Sequence, residues 1–434
     1  MRLKDKFLKK MKNFLILLLT LIFLSNCKKE DIALEEIAAP ELSSEIVIYD
    51  AQKLDGNYLL AIENGGTVSY LINKEGEKLF TWNFENNLGN DLELLESGEL
   101  LGIFKDKDRP FNFGGGSGVA KLFNVDGSLK WEYTIADNNF LAHHDVEMLP
   151  NGNILFLVWE RITIAQAKEV GVKTNEDIFP EKIIEVNPVT NEVVWEWRSW
   201  DRLIQDVDEN LSSYAVVSDN PQKVDFNYNT FTNGDLMHAN GFDYDVENDI
   251  IHMSVNFYSE IWVVDHSTTT EEASGEVGGN YDKGGDLIYR YGNPSAYKNP
   301  QGIRLFNNNH FPNLLEGDVL GSGNMLIYVN TQSDLNQSIV YELDLPTIFN
   351  LTPNINNEPA VIWSFTDSEL YASKFSGAVR LSNGNTLICE GDYGYWEVTQ
   401  DGEVVWKYKA EEGLSFWRGY NYNKNSAALN NLNI

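Results

Sequence analysis

The chain has 434 residues, 43% of them hydrophobic and 23% charged, enough to bury a large core as one big domain or two ordinary ones. Lys and Arg number 33 against 65 Asp and Glu, a formal net charge of −32. A field of that sign repels nucleic acid and anionic lipid, so neither is an expected partner, and an anionic substrate can bind only where local groups overcome it.

Arg2, Lys4, Lys6, Lys9, Lys10 and Lys12 precede an apolar run from Phe14 to Leu24. A basic segment, a short apolar stretch and a small-residue zone make a secretory signal over 1–26, removed from the mature protein. The run is too short for a transmembrane helix, which needs about 20 apolar residues. Leu24-Ser25-Asn26-Cys27 resembles a bacterial lipobox with Cys27 as the lipidated residue, although Asn26 stands where Gly or Ala is usual. The resulting expectation is an exported outer-membrane lipoprotein, on the periplasmic or cell-surface side, that meets the membrane only through its lipid. The leader takes six positive charges and one negative with it, so the net of −32 becomes −37. Residues 27–45 carry little turn or period signal and read as a flexible tether. Cys389 then has no disulfide partner, and stability must come from packing.

From there a turn-plus-strand unit repeats: "KLDGNYLLAI" at Lys53, "LLESGELLGI" at Leu94, "MLPNGNILFLV" at Met148, a degenerate "DVENDIIHMSV" at Asp245, "LGSGNMLIYV" at Leu320 and "RLSNGNTLICE" at Arg380. Each copy is followed by a second strand and then by a third with a central aromatic: Trp82, Trp131, Trp195, Tyr289, Trp363 or Trp406. Core packing between neighbouring units accounts for these six rings. A fourth strand precedes each Gly turn. Four antiparallel strands repeated six times predict an all-β protein, a six-bladed β-propeller over 46–425, with 426–434 as a C-terminal tail. Ile162 to Ile178 interrupts blade three with a short helical piece, Trp200 to Asp235 is a long connection, and Thr268 to Gly285 reads as a Gly-rich loop. "FGGGSG" at Phe113 is another loop; it lacks the Lys-Ser/Thr and the helix of a phosphate-binding loop.

In a propeller the strand before the Gly turn is the innermost and lines the central channel. Blade three puts His143 and His144 there, blade four His238 and Asn240, blade five His310, and blade six Ser376 and Arg380. Four successive blades thus aim polar groups at one axis, where an unpaired buried imidazole costs free energy and packing alone gives no reason for it. Alternation lets one of His143 and His144 face the channel and turns the other into the blade. His252, in mid-strand, and His266, in a turn, read as structural. Three histidines can bind zinc. The inner strands, however, carry few acids besides Asp145, Glu147 and Asp243, and no His-x-His pair. No metal and no cofactor are expected.

The stretches "HHDVEMLPNGNIL", "MHANGFDYD", "SEIWVVDHSTTTEEA", "GGDLIYRYGNP", "FSGAVRLSNGNTLICEGDYG" and "EVTQDGEVVWKY" together resemble the bacterial arylsulfate sulfotransferases, over roughly residues 45–425. That resemblance implies PAPS-independent transfer of a sulfuryl group from an aryl sulfate donor to a phenolic acceptor through a sulfated histidine. By motif His310 is the nucleophile, while His143, His144, His238 and Asn240 hold the sulfuryl oxygens and steer protons. The family has an arginine 18 residues after the blade-four histidine, where this chain has Asn256; Ser376 and Arg380 are the other candidate substrate contacts, and Arg380 a candidate substitute cation. Neither the N-terminal β-sandwich nor the disulfide of the better-known periplasmic members is expected here. Elementary chemistry agrees: a sulfate ester is shielded by its own oxygens, so transfer needs in-line positioning and donors where charge builds up. Neutral imidazole is a competent nucleophile. Two alternatives stand beside this reading: a non-catalytic surface binding propeller, which Asn256 favours, and another enzyme class in the same channel, such as a polysaccharide lyase, a hydrolase or a quinone-dependent dehydrogenase.

Overall fold

The computed structural model describes residues 40–434 except 112, 232, 333–335 and 433. The leader, Cys27 and most of the tether lie outside the described residues.

Six antiparallel sheets stand around one axis, each with four strands of its own. From the inside outwards, blade two is Leu88–Leu94, Leu100–Lys105, Gly118–Phe123 and Leu129–Thr134. Blade three is Phe140–Met148, Ile154–Glu160, Glu181–Asn187 and Glu192–Arg198. Blade four runs from Ala239–Asp245 to Tyr289–Tyr291, and blade five from Asn309–Leu314 to Ala360–Phe365. Blade six begins at Gly377–Arg380.

Blade one departs from the expected order. Its inner strand is not the segment before the first Gly turn but Phe416–Tyr422, which pairs with Tyr58–Glu63 from the other end of the chain. The segment before that turn, Ile46–Tyr49, instead joins the outer edge of blade six against Val404–Lys409. Both ends therefore cross the junction between the first and last blades. A ring closed this way leaves fewer free edges and resists opening.

Burial explains the composition of each strand. Middle strands are covered on both faces by neighbouring blades, so Ile250–Val255 and Glu260–Asp265 are buried throughout. Outer strands alternate, as in Leu129–Thr134. Five of the six third-strand aromatics tie their blade to the next by a hydrogen bond. Trp131 Nε1 donates to Asn191 Oδ1 (2.8 Å), Trp195 Nε1 to Thr268 Oγ1 (3.1 Å), Trp363 Nε1 to the Gln400 carbonyl (2.9 Å) and Trp406 Nε1 to the Lys74 carbonyl (2.7 Å). The Tyr289 hydroxyl donates to the Asn357 carbonyl.

Inner strands all run the same way, so their first residues gather at one end of the channel. That end carries the connections 161–180, 199–238 and 292–308; the opposite end carries most of the tight Gly turns and the connections 266–288 and 345–359. Within the insertion of blade three, Ile164–Glu169 is helical, with Thr163 and Gln166 closing a capping box. The stretch 268–285, expected as loop alone, contains a second helix, Thr270–Ser274, because Thr269 and Glu272 form the same box. Ala428, Leu429 and Leu432 pack into the core beside blades one and two. No helix among the described residues is long and apolar enough to cross a membrane.

Candidate functional site

The two adjacent histidines owe their arrangement to a break in the ladder. Leu157 pairs with His143 but Phe156 with Val146, so His144 and Asp145 bulge out of the inner strand of blade three. His144 has a left-handed backbone, φ +55°. It points to the axis, its ring 4.8 Å from His238 and 5.7 Å from Trp417. His143 turns into the blade, fully buried and stacked on Trp159 at 3.8 Å. The pair is joined Nδ1 to Nδ1 at 2.8 Å, and His143 Nε2 meets Glu181 Oε2 at 2.9 Å. Burial, with His238 adding to it, holds both imidazoles well below the usual histidine range, so both are neutral at pH 7.

The "FGGGSG" loop folds back over this pair. Its Gly116 bridges to His143, and the Gly115 carbonyl accepts from the His144 N–H at 3.1 Å. A side chain at Gly115 would put Cβ 2.0 Å from His144 Nε2, and its φ is +76°. Here glycine is required by both space and backbone.

His238 is the one partly exposed imidazole of the group. It precedes the inner strand of blade four, stacks on Phe257 at 4.7 Å, and its Nδ1 meets Asp235 Oδ2 at 2.5 Å. Burial alone would push its pKa down, but the Asp235 carboxylate outweighs it and raises it above the ordinary histidine value. His310, at the start of blade five's inner strand, is neutral, pushed down to about 3 by burial, with His238 and Arg418 adding to the effect. Its Nδ1–H donates to Asn330 Oδ1 (2.5 Å), and its Nε2 accepts from the Phe375 N–H (3.1 Å). Trp417 lies between the two halves, 5.9 Å from the His310 ring.

Next to Trp417, Arg418 occupies the axis. Its guanidinium pairs with Asp145 (2.9 Å) and Asp91 (3.2 Å), reaches the Asn240 carbonyl (3.3 Å) and covers the Phe311 ring. One side chain of blade one thus ties blades two, three, four and five. Below it the channel is acidic: burial pushes Glu93 up to about 7 and Asp243 to about 8. Among the described residues no group of three or more His, Cys, Asp or Glu is arranged to hold a metal ion.

A cavity of about 450 Å³ opens at the histidine end, lined by Asp235, Phe257, Phe231, Ser259, Asn308 and Arg304. Arg304 is exposed there and donates to Ser259 Oγ at 2.9 Å. A larger cavity, about 840 Å³, opens at the other end between blades four and five, lined by Tyr281, Phe349 and Glu247. Neither cavity is lined by an imidazole; the smaller one adjoins the cluster through Asp235 and Phe257, the two residues that hold His238.

The profile of the Arylsulfotransferase (ASST) family matches residues 34–272. The chain belongs to the arylsulfotransferase family. No curated protein matches it. Among solved structures, a protein of unknown function from Bacteroides caccae is 14% identical, covering 85% of this chain and 99% of its own, with a TM-score of 0.49. A putative 6-phosphogluconolactonase from Bacteroides fragilis is 10% identical over 86% of this chain and 100% of its own, TM-score 0.42. Neither reaches 0.5; the blade count rests on the strand pairing and the assignment on the family match.

In this family member the remaining polar candidates are occupied elsewhere. Asn240 and Asn256 both donate through Nδ2 to the carbonyl of Asn309, at 2.8 and 3.1 Å, and so brace the residue before His310. Asn256 Oδ1 also accepts from Asn308 Nδ2. Ser376 Oγ accepts from the Gly391 N–H at 3.1 Å. Arg380 pairs with Glu342 and donates to the Gly384 carbonyl at the Gly-turn end, so its charge is spent away from the imidazoles. His252 is buried with both ring nitrogens unpartnered among the described residues, and His266 pairs with Asp249 and Glu185. Sequence reading missed Glu181, Asp235, Asn330, Phe375, Trp417, Arg418 and Gly115. Only Gly115 left a visible trace, as part of a Gly run.

Proposed function

We propose that this arylsulfotransferase moves a sulfuryl group between phenols at the imidazole cluster, through a sulfated histidine. The observation that carries the reading is the division of labour among the imidazoles. His310 and His144 are neutral and buried, while His238, against Asp235, is biased to carry charge. His310 Nε2 attacks sulfur as the aryl oxygen leaves with the S–O electron pair. Nδ1–H, held by Asn330, keeps the lone pair on Nε2. The Phe375 N–H, released as the N–S bond forms, stays beside the sulfuryl oxygens as a donor. The His238 imidazolium replaces the arginine that Asn256 does not supply, and Arg304 attracts the anion at the mouth of an otherwise acidic protein. An acceptor phenol then attacks the sulfohistidine and restores His310. The reading includes an exported, lipid-anchored location; Cys27→Ser should release the protein from the membrane fraction.

The decisive experiment incubates the protein with p-nitrophenyl sulfate and no acceptor. An added mass of about 80 Da on His310, and its loss together with turnover in His310→Ala, is the expected result. A protein that binds aryl sulfates without adduct or turnover would instead be a binding propeller. That reading is favoured by Asn256 and by the capping of His310 Nε2.

A further inference from the structure

A proton must reach the aryl oxygen as it leaves the donor and must come off the acceptor phenol. We propose that Glu181, His143 and His144 form a proton relay that performs both steps, with Glu181 as the store; the inference rests on the sulfuryl-transfer reading. The three groups are in line: Glu181 Oε2 to His143 Nε2 at 2.9 Å, then His143 Nδ1 to His144 Nδ1 at 2.8 Å. Two neutral rings joined nitrogen to nitrogen share one hydrogen, so each end of the chain determines the other.

The chain has two states. In the first, Glu181 is protonated and donates to His143 Nε2, His143 Nδ1–H donates to His144 Nδ1, and His144 Nε2 carries the outward proton. In the second, Glu181 is a carboxylate, His143 carries its proton on Nε2, His144 carries its own on Nδ1, and His144 Nε2 is a bare lone pair. In passing from the first to the second, His144 Nε2–H goes to the departing aryl oxygen, His143 Nδ1–H goes to His144 Nδ1, and the Glu181 proton goes to His143 Nε2. The acceptor phenol reverses every step. No imidazolium forms, and the acid that yields its proton is a carboxylic acid rather than a neutral imidazole.

The surroundings fit both states. Glu181 Oε1 accepts from the Ala239 N–H at 2.7 Å whether or not Oε2 is protonated. Trp159 fixes the plane of the His143 ring. Charged neighbours are Asp235 and His238 on the blade-four side and Asp145 on the bulge. Burial raises the Glu181 carboxyl well above the usual range, with Asp235 adding to it, while the Ala239 N–H and His238 oppose the shift. The protonated first state is therefore the resting one. No hydrogen bond from His144 Nε2 to protein is found among the described residues; this edge of the ring packs under Gly115, and the ring lies 4.8 Å from that of His238.

Glu181→Gln tests the relay. Glutamine can still accept from Ala239 but donates permanently to His143, which locks the first state and leaves no acid behind it. The full-length mature protein is assayed with phenyl sulfate, a poor leaving group, and p-nitrophenyl sulfate, a good one. The loss for phenyl sulfate should exceed that for p-nitrophenyl sulfate by about 10²-fold, the scale of general acid catalysis. ¹⁵N NMR of the imidazoles supplies a readout independent of turnover: in the wild type His144 Nε2 loses its proton as Glu181 ionises, and in the variant it does not. If Glu181→Gln does not fold, His143→Gln cuts the chain in the middle and should give the same leaving-group dependence. Equal losses for both donors, or a His144 tautomer indifferent to Glu181, would overturn the relay. An inert wild type with the linked NMR behaviour would refute sulfuryl transfer and leave the relay standing.

Discussion

Gly115→Ala is the sharpest test of how the "FGGGSG" loop serves the site. The backbone at Gly115 is left-handed, φ +76°, which costs an alanine about 1–2 kcal/mol. The new methyl would stand 2.0 Å from His144 Nε2, where ordinary contact begins at 3.4 Å, so the imidazole must retreat by about 1.4 Å. It cannot do so without stretching its 2.8 Å bond to His143 Nδ1, which is worth about another 1 kcal/mol. The expected loss of stability is about 2–3 kcal/mol, and a displacement of about 1 Å in a catalytic group lowers turnover by about 10²-fold. Gly127→Ala is the control: φ is +82° but nothing lies within 4 Å of the added methyl, so the backbone term stands alone. Urea unfolding followed by tryptophan fluorescence and turnover of p-nitrophenyl sulfate give the two readouts. Equal destabilisation by both substitutions, with Gly115→Ala turnover within about threefold of wild type, would refute the claim that the loop packs on His144.

Arg418→Met leaves Asp145 and Asp91 buried without their cation and should lower stability by about 3–5 kcal/mol, partly restored by adding Asp145→Asn; a loss under about 1 kcal/mol in chemical unfolding would show the axial ion pairs to be dispensable. Asp235→Asn removes the group that raises His238, so the alkaline limb of the pH–rate profile should move to lower pH. The stabilising His238–Asp235 pair is fully present below the unfolded histidine value of about 6.5 and lost as pH rises through the raised folded value, so wild type and Asp235→Asn should differ more in stability at pH 6 than at pH 9. Arg304→Ala should raise KM for aryl sulfates by about tenfold with kcat little changed, and the effect should shrink at high salt; an unchanged KM would remove Arg304 from donor capture.

The repeat architecture was legible in the sequence because its signals are local. A Gly turn, two alternating strands and one aromatic recur within a few dozen residues, and each is set by backbone conformation and side-chain period. The same regularity pointed to the inner strands of blades three to five, where the pair His143 and His144 and the residues His238 and His310 fall in or beside those strands, without deciding which of the pair meets the axis. What the tertiary structure decided depends on contacts between distant segments. Which strand fills the centre of blade one follows from ring closure, where residues 416–422 meet residues 58–63. Arg418 acquires its place from that closure and was invisible to repeat reasoning, because its strand lies outside the local three-strand unit. The two histidines differ because a bulge at His144 and Asp145 breaks the alternation, and because Glu181, two strands away, receives one of them. Arg380 is spent on Glu342 and Asn256 on Asn309 because inter-blade packing brings those partners within hydrogen-bond reach. Local pattern specifies which face a side chain takes; only the assembled ring specifies what it meets there.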